Sequence, residues 1–158
     1  MTNTSSAYVT LRRRLNGLLV ALVIYDIILS STCLIRPDLW YQYIHGTNYV
    51  DPQGLLLRTG AVWAAFSLFQ LIARLKWEVQ PMWLALIAGI RLTEVFSDWT
   101  YLFVAQDITL FGWFGLFVNP PMNVFLGWYF IRTYRRVHVD FSDELKKARQ
   151  AKAAGNIS

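Results

Sequence analysis

Three ionisable residues occur within one strongly apolar stretch of the chain, at spacings that place them on one side of a helix. Arg91, Glu94 and Asp98 fall within roughly 60° of one another when a helix advances about 100° per residue. Carboxylates beside a guanidinium in apolar surroundings can carry a proton, bind a cation or orient a polar ligand. The same residues can instead form a structural network between helices, because opposite charges three residues apart neutralise each other.

The composition places these charges inside a membrane. Of 158 residues, 55% are hydrophobic and only 16% are charged, which is too apolar for an ordinary soluble domain. The apolar residues form four blocks of about 20 residues, the helix length that a hydrocarbon core roughly 30 Å thick requires. Inside lipid each segment must pair its own backbone groups, so these runs predict helices. We therefore expect an all-α, polytopic membrane protein built as a four-helix transmembrane bundle.

The predicted transmembrane domain covers residues 1–136 and contains four spans. They are residues 15–35, 55–73, 82–104 and 108–131. Basic residues are distributed unevenly among the ends of the spans. Three precede the first span, one follows it, and two lie between the second and the third. None lies between the third and the fourth, and three follow the fourth. Because basic residues concentrate on the cytoplasmic side, both termini are predicted to be cytoplasmic. The predicted location is the bacterial inner membrane or the endoplasmic reticulum.

Two segments outside the spans have signals of their own. The connection after the first span contains four aromatic residues, Trp40, Tyr41, Tyr43 and Tyr49. Such residues are typical of an interfacial patch or a short helix lying on the membrane. Residues 137–158 form a basic tail in which Ser142 is a candidate N-cap, so a short cytoplasmic helix is predicted there. The tail is expected to lie near anionic lipid or to dock on a partner.

Depth along the predicted helices indicates which charges meet. At about 1.5 Å per residue, Arg91 and Glu94 lie near the middle of the third span, as Asp26 does on the first. Asp98 and Arg58 lie nearer the outer face. A charge at the bilayer centre costs at least about 3 kcal/mol, so such side chains should face the bundle and pair. We therefore expect Arg58 to pair with Asp98. Arg91 then pairs with Glu94 or Asp26.

Two arginines against three carboxylates leave one negative charge in excess. Either one carboxyl is protonated or a further donor stabilises it. The candidate donors are Tyr25, Thr93, Asn119 and Asn123. Between the two asparagines, Pro120 and Pro121 lack N–H groups, which predicts a kink or a broken helix of the kind found at transporter binding sites. The predicted intramembrane polar network comprises Asp26, Arg58, Arg91, Glu94, Asp98, Asn119 and Asn123.

Motifs for known enzyme chemistry are missing from the sequence. Its two histidines, His45 and His138, lie outside the predicted spans, which argues against embedded haem. The sequence has no H-E-x-x-H motif, Walker loop or dinucleotide fingerprint. We therefore expect no catalytic, cofactor or metal site and no nucleic-acid partner, and leave a bound lipid or quinone open.

Between Trp40 and Phe96, a little over a third of the chain, the order of features resembles the small four-span scaffold proteins of ergosterol biosynthesis. The shared elements are Trp40-Tyr41-Gln42, Gly54-Leu55 before Arg58-Thr59, Trp63, and Gly89 followed by Leu92-Thr93-Glu94-Val95-Phe96. The resemblance implies a protein that tethers enzymes and has no active site of its own.

The expected function is that of a non-catalytic accessory or scaffold subunit of a larger membrane complex. Its expected partners are other integral membrane subunits and the lipid bilayer. The alternative is a small transporter-like or quinone- or lipid-handling membrane protein that uses the intramembrane Arg/Glu/Asp site.

Overall fold

The fold is given by a computed structural model that describes the backbone of residues 3–47, 51 and 53–155, and the side chains of residues 8–47, 51 and 53–139. This part of the chain contains five helices and no strand. The helices are α1 Asn3–Ile35, α2 Pro37–His45, α3 Leu55–Lys76, α4 Met82–Val104 and α5 Leu110–Gly155. The predicted all-α class is confirmed for these residues.

Two helices are long and apolar enough to cross a membrane, namely α1 over Tyr8–Ile35 and α3 over its whole length. Helix α4 is as long as α3 but carries three charged residues, and the apolar first half of α5 is interrupted by two asparagines and two prolines. Both have strongly apolar outer surfaces, since Phe103 is 84% exposed and Leu110 is 85% exposed. Large apolar side chains therefore cover the outside of the bundle, while Arg91 and Asp26 lie buried within it.

Prolines and glycines set the helix ends on one side of the bundle. Arg36 has an extended φ of −135° between α1 and α2, as expected for a residue that precedes proline. Pro37 then begins α2, which ends at Gly46 in the left-handed region with φ 71°. A short helix thus occupies the aromatic connection, although the predicted patch residue Tyr49 lies outside the described residues.

Helix α5 is continuous from Leu110 to Gly155. It passes through Pro120 and Pro121, so the helix is not broken there. It also passes through Ser142, so the prediction of a separate helix with Ser142 as its N-cap was wrong. The physical reason is that no glycine or proline follows Gly127 until Gly155, and the intervening residues include many strong helix formers.

The helices associate as two antiparallel hairpins. Helix α1 packs along α3, and α4 packs along α5. In each hairpin a glycine lies where the two long helices approach closely. A Cβ at Gly60 of α3 would lie 2.9 Å from the Cβ of Cys33, and a Cβ at Gly127 of α5 would lie 2.8 Å from the Cγ of Leu92. Glycine is therefore what allows each pair of backbones to approach.

The two hairpins share a hydrophobic core at one end of the bundle. Its buried members are Leu15, Leu19, Leu22, Ala73, Trp77, Leu84, Ile87, Ala88, Leu126 and Phe130. At the same end, the indole of Trp77 donates to Asn16 Oδ1 at 2.9 Å, and Arg12 pairs with Glu78 at 2.8 Å. We call this the basic end, because most of the cationic residues with described side chains gather there, namely Arg12, Arg13, Arg14, Arg74, Lys76, Arg132, Arg135 and Arg136.

Helix α2 lies at the opposite end and is held to the start of α5. The backbone N–H of Thr109 donates to the carbonyl of Ile44 at 2.8 Å, and its hydroxyl donates to the carbonyl of Tyr43. The same hydroxyl accepts from the N–H of Gly112 at 3.0 Å. These bonds satisfy the last carbonyls of α2 and the first N–H groups of α5, which have no partner within their own helices.

Candidate functional site

A buried cluster of polar side chains lies between the two hairpins, on the side of the shared core away from the basic end. Its centre is Arg91 of α4, which is 1% exposed. Arg91 donates through one terminal nitrogen to Asp26 of α1, and through the other to Glu94 at 2.7 Å. The prediction that Arg91 pairs with Glu94 or Asp26 is confirmed, and it pairs with both. The salt bridge to Asp26 links the first hairpin to the second.

Two residues of α3 complete this central cluster. Gln70 donates to Asp26 Oδ2 at 2.6 Å, and the Trp63 indole donates to Glu94 Oε1 at 3.2 Å. Sequence reasoning missed Gln70, which is fully buried. A usable signal was present, because Gly60, Ser67 and Gln70 are spaced by seven and three residues and mark the buried face of an otherwise apolar helix. The central cluster is defined here as Asp26, Trp63, Gln70, Arg91 and Glu94.

Asp98 belongs to a separate contact within the second hairpin. Its Oδ2 accepts a hydrogen bond from the amide of Asn119 on α5 at 2.6 Å. Among the predicted donors, Asn119 is therefore the one that stabilises this carboxylate. Thr93 instead donates to the carbonyl of Ile90 in its own helix at 2.7 Å, and Tyr25 is 37% exposed.

The predicted pair between Arg58 and Asp98 does not form. Arg58 is exposed and has no ion pair among the residues with described side chains. Gly60 marks the face of α3 that contacts α1, and Arg58 lies about 200° around the helix from it. The side chain of Arg58 therefore points outward, away from the hairpin. Matching depth was not sufficient, because the direction of each side chain is set by which helices pair.

Without Arg58, the charges of Asp26, Arg91 and Glu94, which are buried, and of Asp98, which is half-buried, are more unequal than predicted. Asp26 and Glu94 share Arg91, while Asp98 has an uncharged partner. If all four groups are ionised, three negative charges accompany one positive charge, and the excess is two rather than one. Uncompensated buried charge is costly, so protons, a cation or a partner subunit must balance this excess.

Several buried polar atoms within the bundle also lack a hydrogen-bond partner among the described residues. Asn123 is fully buried and neither of its amide atoms is bonded. The others are Asp26 Oδ1, Gln70 Oε1, Arg91 Nε and Asn119 Oδ1. Buried polar groups are normally hydrogen-bonded, so each of these atoms is free to form a further hydrogen bond inside the bundle.

The structure contains no preassembled metal site in its described part, where no group of three or more His, Cys, Asp and Glu side chains is found. His45 lies at the α2 end, where its Nε2 is 2.6 Å from the Tyr101 hydroxyl and its Nδ1 is 3.3 Å from the carbonyl of Gln106. Both ring nitrogens are thus engaged within the protein. The ring helps to hold α2 against α4 and the loop that follows it.

Comparison with known proteins gives no match to any family model, curated protein or solved structure. The function must therefore be argued from the geometry of this chain. The central cluster can clamp helices together, and it retains hydrogen-bonding capacity at Asp26 Oδ1, Gln70 Oε1 and Arg91 Nε.

Proposed function

We propose that this chain is a non-catalytic integral membrane protein, acting as an accessory or scaffold subunit of a larger membrane complex. The observation that carries the proposal is the engagement of Arg91 by Asp26 and Glu94. Both terminal nitrogens of the buried arginine are used to connect α4 with α1 and to bind its own helix. Because the strongest hydrogen-bond donors of the cluster are already bonded within the fold, the cluster is better suited to holding helices together than to binding a substrate.

The proposal includes four spans with both termini on the cytoplasmic side. Its support is the distribution of side chains on α4 and α5: Arg91 and Glu94 of α4 face inward, whereas aromatic residues of both helices face outward. Phe96, Phe114 and Phe125 are each more than 60% exposed. An aqueous surface rarely displays so much contiguous apolar area, whereas lipid and partner helices both favour it. The gathering of cations at the basic end supports the orientation.

The topology can be tested by single-cysteine labelling. Cys33 is buried and is replaced by alanine to give a background without cysteine. Thr47→Cys, Gln106→Cys and His138→Cys are then labelled with a membrane-impermeant maleimide, before and after the membrane is permeabilised. We expect the first two to react from outside and the third to react only after permeabilisation. Labelling of all three from one side of an intact membrane would contradict four spans.

The accessory role can be tested by purification from its own membrane at native abundance in a mild detergent, followed by mass spectrometry. We expect the same integral membrane partners in every preparation. The resemblance to scaffold proteins of ergosterol biosynthesis adds the expectation that these partners are enzymes. Recovery of a stable, lone monomer would contradict the accessory role while leaving the membrane topology intact.

A second candidate function is a transporter-like or a quinone- or lipid-handling activity at the same site. It is favoured by the two excess negative charges and by the unbonded amide of buried Asn123. Arg91→Leu together with Glu94→Gln distinguishes the two functions. Loss of partner binding and stability favours the accessory role, whereas loss of a measurable flux with assembly intact favours the second candidate.

Asn123→Leu provides the matched, milder variant. Leucine has a similar volume and removes two unbonded polar atoms from the interior, so a structural site should keep or gain stability. A site that binds a polar ligand through Asn123 should lose that binding while the fold and its partners persist. Thermal stability in detergent and partner recovery measure the first outcome, and flux into proteoliposomes measures the second.

A further inference from the structure

A surface groove lies on α1 near the basic end, away from the central cluster. It has a volume of about 500 Å³ and is lined by Val9, Thr10, Arg13, Arg14 and Gly17. The helix turns about 100° per residue, so these residues lie opposite the buried face of α1 that carries Leu15 and Leu19. The groove therefore opens away from the bundle, toward whatever surrounds the protein.

Two arginines of the groove carry charge that the described part of the protein does not neutralise. Their neighbour Arg12 is paired with Glu78 at 2.8 Å. Arg13 and Arg14 are exposed, and neither has an ion pair within the described side chains. Adjacent guanidinium groups bind phosphate oxygens well, because each offers a planar set of N–H donors.

An apolar strip continues from these arginines along the same face of α1. At Gly17 a Cβ would meet no atom within 4 Å, so the surface there is open. The next exposed residues on this face are Val20, Ile24 and Ile28, of which the last two are 54% and 58% exposed. From Gly17 to Ile28 the strip is about 17 Å long, which is close to half of a hydrocarbon core roughly 30 Å thick.

We propose that this groove and strip bind one anionic phospholipid. The phosphate lies on Arg13 and Arg14, the glycerol region passes over Gly17, and an acyl chain follows the strip toward Ile28. A free phosphate would bind the arginines but would leave the apolar strip uncovered. A zwitterionic lipid carries a positive group of its own, which the arginines would repel. The proposal rests on the membrane embedding of α1 in the proposed function, and is independent of the accessory role.

The arginines are tested by native mass spectrometry of the full chain, titrated with phosphatidylglycerol or with phosphatidylcholine of the same acyl chains. We expect preferential binding of phosphatidylglycerol, weakened about thirtyfold by R13Q together with R14Q, since each basic residue near the surface contributes about 1 kcal/mol. The matched control, R74Q with K76Q, removes two charges at the same end of the bundle and should change binding less than about threefold. Equal weakening by both double variants would overturn the proposal.

The groove itself is tested by Gly17→Leu, which fills the open position without touching a charge. We expect at least tenfold weaker binding of phosphatidylglycerol. Gly89→Leu is the control, since a Cβ at Gly89 also meets no atom within 4 Å. Circular dichroism checks that both variants keep the helix content of the parent. Unchanged binding in Gly17→Leu would overturn the proposal, as would full competition by millimolar inorganic phosphate.

Measuring the oligomeric state distinguishes a lipid from a second copy of the chain as the occupant of the groove. If Gly17→Leu converts a dimer to a monomer, a neighbouring chain covers the groove and the proposal is wrong. Absence of partner subunits in the purification would not affect the lipid site. Recovery of the chain in the aqueous fraction instead of the membrane would remove the basis of both proposals.

Discussion

Glu94 and Asp98 are acidic residues one turn apart on α4, yet they have entirely different surroundings. Both oxygens of Glu94 accept hydrogen bonds, one from Arg91 and one from Trp63. Asp98 accepts one from the amide of Asn119. The contrast shows that position along a helix does not decide the role of a carboxylate. The neighbouring helix that its side chain meets decides it.

The two sites also differ in what they connect. The central cluster joins α4 to α1 and α3, so it lies between the hairpins. The contact between Asp98 and Asn119 joins α4 to α5, so it lies within the second hairpin. Changes at the first site should therefore separate the hairpins, whereas changes at the second should act locally.

The largest effect is expected from Arg91→Leu. It leaves Asp26 and Glu94 buried without their cation, and breaking a buried ion pair costs about 3–5 kcal/mol. The free energy of unfolding, measured by denaturant titration in mixed micelles, gives this loss. Arg58→Leu is the control, because exposed Arg58 has no ion pair in the described part and should change stability by less than about 0.5 kcal/mol. Similar losses of unfolding free energy in both variants would show that Arg91 contributes no more to stability than Arg58 does.

A smaller loss is expected from Gly127→Val, which disturbs the second hairpin alone. The added Cβ would lie 2.8 Å from Leu92 Cγ and 3.5 Å from the carbonyl oxygen of Ala88. Such overpacking costs about 1–3 kcal/mol. Gly115→Val on the same helix meets no atom within 4 Å and serves as the control. Thermal unfolding of both variants checks the prediction, and equal melting temperatures would argue against the close contact between α4 and α5.

The direct comparison of the two carboxylates uses Glu94→Gln and Asp98→Asn. The first replaces a charge-assisted bond to Arg91 and should cost about 2 kcal/mol. The second removes an uncompensated, half-buried charge and keeps an oxygen for Asn119, so its cost should stay below about 1 kcal/mol. Unfolding free energies of the two variants give the order, and the reverse order would indicate that Asp98 carries the more important interaction.

The smallest effect is expected outside the bundle, at the start of α2. Hydrogen bonds from Arg36, at 2.9 and 3.1 Å, lower the pKa of Asp38 below its ordinary value of 3.8. Because the folded pKa is the lower one, the carboxylate stabilises this turn above pH 3.8, and the contribution disappears as the pH falls through the folded pKa. Hydrogen exchange in α2 between pH 5 and about 2.5 should show this loss, and Asp38→Asn should abolish it. A parent and variant with the same pH dependence would contradict this.

Much of the fold could be predicted because it depends on local properties of the chain. The first predicted span ends at Ile35 as α1 does, the second begins at Leu55 as α3 does, and the third matches α4 from Met82 to Val104. The pairing of Arg91 could also be predicted, since Glu94 is one turn away on the same helix.

The rest of the fold and of the site depends on how the helices pack, which counting residues along the chain does not reveal. Arg58 was assigned to Asp98 from depth alone, but close contact at Gly60 fixes the rotation of α3 and turns Arg58 outward. Gln70 was overlooked because its importance comes from lying opposite Asp26 on another helix. The extension of α5 was missed because a good N-cap residue does not begin a helix where the preceding residues are already helical.

The attachment of α2 to Thr109 has a consequence for the order of assembly during synthesis. Thr109 and the carbonyl it binds at Tyr43 are 66 residues apart in the chain. At about 5–20 residues per second, roughly 3–13 s pass between the synthesis of these two partners. During that interval α2 has no anchor on α5, and its last carbonyls must find other hydrogen-bond partners. The final position of α2 is thus reached only after the start of the last helix has been made.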